Sequence, residues 1–74
     1  MNKDRRNKIQ QIIDNINLVK SKLQNVLDDE EFAFDSMPEN LQYSIRGEES
    51  QEAIDYMNEA IEHLDNAIEV LESI

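Results

Sequence analysis

Carboxylates are the residues of this chain whose type and spacing could do chemistry. Glu52, Asp55, Glu59, Glu62, Asp65, Glu69 and Glu72 recur every three or four residues, and Asp28, Asp29, Glu30 and Glu31 form a second run. Paired carboxylates act as acid and base only where a cleft drives their proton affinities apart. A solvated row does not do this. Glu59 and His63 stand four apart, one helical turn, a spacing that can place two ligands on one metal. Two ligands are too few, and the chain has no cysteine and no second histidine. The run at 28–31 lacks the alternating ligands and central glycine of a calcium loop. Ser21, Ser36, Ser44, Ser50 and Ser73 lack an elbow-type glycine setting, and a single glycine cannot build a phosphate-cradling loop. The expectation is therefore no enzyme, no metal and no cofactor. A row of acids on one helix can still imitate a row of phosphates. Acids one turn apart lie about 5 Å apart along the axis, against about 3.4 Å per phosphate on a DNA strand. The same row also reads as an ordinary solvated face.

The elements that hold these residues must come from 74 residues. That length gives one domain, and so short a chain buries only about 60% of its unfolded surface. Without cysteine, disulfides cannot help, which leaves self-association as the expected support. No apolar run has the length of a signal or membrane segment, because Gln10, Gln11, Asp14 and Asn15 interrupt the only candidate. A soluble cytoplasmic protein with no membrane contact is expected. The net charge is −10 and unevenly spread. Residues 1–27 hold six cations against two acids, a net of +4; residues 28–74 hold one cation against fifteen acids, a net of −14. The basic cluster "NKDRRNK" at 2–8 is short and carries an acid, so nucleic-acid binding works against the overall field.

Apolar residues at Ile9, Ile12, Ile16, Val19, Leu23 and Val26 alternate spacings of three and four, which predicts one helix face over about 4–34. Ile13 and Leu27 widen that stripe, and Asp4 is the expected cap. Ile54, Met57, Ile61, Leu64, Ile68 and Leu71 predict a second helix over about 49–73, with Ser50 as its cap. Pro38 forbids continuous helix through the joint at about 35–48, and Gly47 is the residue expected to end a short turn in a left-handed conformation. Phe32, Phe34, Met37, Leu41, Tyr43 and Ile45 make that joint apolar, so it is expected to fold over the helix pair as a plug.

Three heptads close the chain: EAIDYMN, EAIEHLD and NAIEVLE. With Ile54 at position a, the seam is Ile54, Met57, Ile61, Leu64, Ile68 and Leu71. Ala53, Ala60 and Ala67 share position g, and Tyr56, His63 and Val70 share position c. Together these positions make an arc about 160° wide, more than the roughly 100° that one neighbour covers. The first neighbour is expected to be the first helix, in an antiparallel hairpin whose facing residue numbers sum to about 80. Arg6 then lies near Glu72, and the basic start of the chain meets the acidic end. The second neighbour is expected to be another copy, giving a four-helix bundle. The Tyr56, His63, Val70, Ala53, Ala60 and Ala67 arc is the candidate surface for self-association or a different protein partner.

The stretch from the acidic run through "AFDSMPENLQ" at 33–42, "RGE" at 46–48 and the AI-type heptads resembles a group of small, mostly uncharacterised acidic helical proteins of phages and prophages of low-GC Gram-positive bacteria. The likeness covers residues 30–72 and not the basic start. It implies a mobile-element setting, action in a host cell's cytoplasm and a host protein as partner. It assigns no activity to any residue. The expected function is a protein-binding module that inhibits a host nucleic-acid-binding or defence protein through the acidic face. An assembly adaptor working through the apolar arc, and a small DNA-binding regulator using Arg5, Arg6 and Lys8, are the alternatives.

Overall fold

A computed structural model describes all 74 residues. The chain is all-α, with α1 at Lys3–Asp35, a one-turn α2 at Glu39–Gln42 and α3 at Ile45–Glu72. The molecule measures 58 × 15 × 12 Å, the proportions of two long helices lying side by side. Glu30 meets Ser50, Lys20 meets Asp65 and Arg6 reaches Ile74, so α1 and α3 run antiparallel in nearly the expected register.

The helix ends follow from local chemistry. Asn2, not Asp4, caps α1: its side-chain oxygen accepts a hydrogen bond from the Arg5 amide at 2.9 Å. Asp4 sits in the first turn instead and pairs with Lys8 at 3.2 Å. At the joint, Pro38 starts α2, and the Gln42 amide nitrogen donates to the carbonyls of Phe34 at 3.2 Å and Met37 at 3.3 Å. One side chain thus ties α2 to carbonyls at the end of α1. Ser44 caps α3 by accepting from the Gly47 amide at 3.3 Å. Helix α3 therefore begins four residues before its expected start.

Two expected roles change with that earlier start. Gly47 lies inside α3, is buried and has no positive φ. Its missing side chain matters for space: a Cβ there would meet the Gln42 carbonyl oxygen at 2.1 Å. Glycine is needed for the close approach of α2 to α3, not for a left-handed turn. Ser50 is no cap. It is 5% exposed in the seam and donates to Glu30 at 3.0 Å.

The α3 seam is the expected one, with Ile54 and Ile68 buried and Met57, Ile61, Leu64 and Leu71 half-buried. The α1 seam keeps the expected Ile9, Ile16 and Leu23 and exchanges Ile12, Val19 and Val26 for their neighbours Ile13, Lys20 and Leu27. Ile13 and Leu27 are its buried residues, flanked by half-buried Ile9, Ile16, Lys20 and Leu23, whereas Ile12, Val19 and Val26 are 49–55% exposed. The reason lies in the width of the stripe. Three adjacent positions of α1 are apolar in most turns, and one partner helix covers only two. Burying the Ile13–Leu27 edge also brings Lys20, half-buried in the seam, to Asp65 at 2.5 Å.

The plug does not form. Phe32, Tyr43 and Ile45 are 75–78% exposed and Leu41 is exposed, leaving only Phe34 and Met37 half-buried. With α3 starting at Ile45, the joint is too short to fold back, and the end of α1 and start of α3 turn these side chains outward. In the whole chain only Ile13, Leu27, Ile54 and Ile68 form a buried apolar core.

Candidate partner-binding site

The hairpin has two broad sides, and heptad placement in the observed register says what each presents. One side carries Gln10, Asn17, Gln24 and Glu31 of α1 and Gln51, Asn58, Asp65 and Glu72 of α3. Two open grooves confirm the pairing: one of about 430 Å3 joins Gln10 to Glu72, and another joins Glu31 to Gln51. The other side carries Ile12, Val19, Val26 and Ala33 opposite Ala67, Ala60, Ala53 and Arg46. A groove lined by both Ala33 and Arg46 marks this side. Its outer edge on α3 is Tyr56, His63 and Val70, with Tyr56 and Val70 more than 60% exposed. The apolar arc foreseen on the second helix is thus half of a larger surface. Its other half, on α1, was assigned to the core in the sequence because spacing alone does not say which two of three apolar positions turn inward.

The outer surface of α3 carries the acids. Glu52, Asp55, Glu59, Glu62, Asp65, Glu69 and Glu72 are all exposed. Only Asp65 has a lysine or arginine within 4 Å, Lys20, while Glu59 has the His63 imidazole at 3.6 Å. Asp28, Asp29 and Glu31 are exposed as well, while Glu30 is half-buried and occupied by Ser50. The register brings these α1 acids to the same end of the rod as Glu48, Glu49 and Glu52. Between Asp28 and Glu52 there are nine acids and one cation, Arg46. The opposite end holds Lys3, Arg5, Arg6 and Lys8, and Arg6 lies near Glu72 as expected, both lining one groove, without an ion pair between them. Arg6 donates instead to the backbone carbonyls of Met1 at 3.2 Å and Ile74 at 3.5 Å.

No group of three or more His, Asp or Glu side chains is arranged to hold a metal ion. Nor is any helix long and apolar enough to cross a membrane. No protein-family model, curated protein or solved structure matches the chain.

Proposed function

We propose that this chain is a non-enzymatic protein-binding module whose acidic helical surface engages a basic groove of the kind that otherwise holds nucleic acid. The observation that carries this reading is the row of exposed carboxylates on α3, six of seven without a lysine or arginine within 4 Å. Uncompensated negative charge along a helix costs about 0.2–0.5 kcal/mol per neighbouring like pair and creates a potential that steers a basic partner. The resemblance to phage and prophage proteins supports a host protein as that partner, bound in the cytoplasm of the host. Inhibition of a nucleic-acid-binding or defence protein follows when the bound groove is the one that protein needs.

The same proposal has the chain act as a homodimer in a four-helix bundle. Its apolar side supports this, since the single hairpin leaves Ile12, Val19, Val26, Tyr56 and Val70 open to water.

Charge reversal tests the acidic reading. The variant Asp55→Lys/Glu59→Lys/Glu62→Lys and the wild type serve as parallel baits for host proteins. Loss of the captured protein from the variant, with unchanged helicity, is the expected result. Equal capture by both baits contradicts the acidic reading and favours an adaptor acting through the apolar side. That adaptor should instead fail on Tyr56→Asp/Val70→Asp.

A further inference from the structure

We infer that two copies pair face to face through the apolar side, related by a two-fold axis that crosses the helices at the level of Val19 and Ala60. Helix α1 then lies antiparallel on α1 of the second copy, and α3 on α3, with the two joints at opposite ends. This arrangement rests on the self-association proposed above and adds its geometry.

Size favours a second copy as the occupant. The rod is 58 Å long and 15 Å wide, and the apolar rows from Ile12 to Ala33 take up about 32 Å of that length. A stable interface uses about 800 Å2 per partner, so the contact has to run the full length of the rod, which a second copy of the same length allows. Ile12, Val19 and Val26 form a straight row, and Ala53, Ala60 and Ala67 form a parallel row beside it. A self-complementary surface of this shape closes with one copy and leaves no repeating edge.

Charge selects between the two ways of closing it. An axis parallel to the helices would stack α1 on α3 of the second copy with both joints at the same end. That places two sets of nine acids side by side and sets Asp29 level with Glu49 of the second copy. The crossing axis reverses one rod against the other. Lys8 then stands within one residue, about 1.5 Å, of the level of Asp29 of the second copy, and Asn15 likewise of Lys22. Asp29 and Lys22 have no ionic partner within their own chain, and Lys8, though paired with Asp4, stays 69% exposed. On α3, Tyr56 comes within one residue of the level of His63 of the second copy, and the alanines let these two helices approach closely. Every flanking residue so placed is neutral toward or attracted by its counterpart, which is how charge fixes register at an interface.

The arrangement matters for the proposed partner. It sets both α3 helices on one side of the bundle, about 8–10 Å apart, with their acidic outer surfaces turned the same way. The partner meets two antiparallel rows of carboxylates, while the lysines of α1 collect on the opposite side. The parallel alternative would place the rows on opposite sides.

Because the chain has no cysteine, single cysteines report the arrangement directly. Sedimentation equilibrium of the wild type should give twice the chain mass of 8.7 kDa. Oxidised Val19→Cys should form a disulfide-linked dimer, since that residue meets its own copy at the axis. Lys8→Glu should weaken the dimer about tenfold, and Lys8→Glu/Asp29→Lys should restore it. A monomeric mass for the wild type overturns both the self-association and its geometry. A dimer in which Val19→Cys does not cross-link, while a mixture of Val19→Cys and Ala60→Cys does, overturns the geometry alone. Neither of those results touches the acidic reading, which the charge-reversal bait decides.

Discussion

Replacing Gly47 with alanine is expected to destabilise the fold, against the usual gain from that change in a helix. Alanine in a helix interior is better than glycine by about 0.5–1 kcal/mol. At Gly47, however, the new Cβ would stand 2.1 Å from the Gln42 carbonyl oxygen and 2.6 Å from that of Leu41, and Cβ atoms are essentially never found under 3.0 Å. The joint would have to retreat by about 1 Å. The obstacle is backbone, so no rotamer change relieves it. The retreat also strains the two bonds by which the Gln42 side chain holds Phe34 and Met37. Overpacking of this kind costs about 1–3 kcal/mol, and each loosened hydrogen bond adds roughly 1 kcal/mol. The net loss is about 2–4 kcal/mol, a fall in Tm of roughly 10–30 °C for a domain of this size. Thermal and urea unfolding followed by far-UV circular dichroism, at one fixed protein concentration, would measure it. The exposed variant Asn58→Ala serves as control and should gain a few tenths of a kcal/mol. If Gly47→Ala raises Tm as the control does, the close approach of α2 to α3 is wrong and the joint needs another explanation.

Three further outcomes follow from the same geometry. Lys20→Leu should stabilise the chain by about 1 kcal/mol in urea titration, because a partly exposed ion pair contributes 0–1 kcal/mol and a leucine in the seam about 1.5–3; a loss above 1 kcal/mol would show that the Asp65 contact matters more than its exposure implies. Ser50→Ala should cost about 1–2 kcal/mol by stripping Glu30 of its half-buried donor, and the double variant Glu30→Leu/Ser50→Ala should recover most of that loss in the same titration. Phe32→Ser/Tyr43→Ser should change stability by less than about 0.5 kcal/mol, since both side chains lie in water; a larger loss would restore the plug.

The sequence made the hairpin legible because both helices carry long apolar stripes, and the break at Pro38 leaves few ways to join them. The α3 seam was legible in full, since only one pair of its heptad positions carries a large apolar residue in every turn. The α1 seam was legible only in Ile9, Ile16 and Leu23. Ile12 and Ile13, or Val26 and Leu27, are equally apolar neighbours, and the choice between them depends on what α3 brings across, here Asp65 to Lys20 and Ser50 to Glu30. Gly47 and Ser50 were misread for one shared reason. Both have strong local meanings at helix ends, and the cap moved to Ser44, which left them inside α3 where packing decides. The apolar joint suggested burial by composition alone, but burial needs a chain long enough to return to the core. The acidic surface was legible residue by residue. What the fold adds is that Asp28, Asp29 and Glu31 reach the same end as Glu48, Glu49 and Glu52, and that Asp65 and Glu30 are already engaged.

Competition with duplex DNA tests the central claim most directly. The chain is immobilised, loaded with its captured host protein and washed with increasing duplex DNA at constant ionic strength. Release of the protein as a protein–DNA complex, at DNA concentrations where the chain itself binds no DNA, is the outcome expected of an acidic surface occupying a nucleic-acid groove. Retention of the protein at saturating DNA would contradict that claim and move the site to the apolar side of the hairpin.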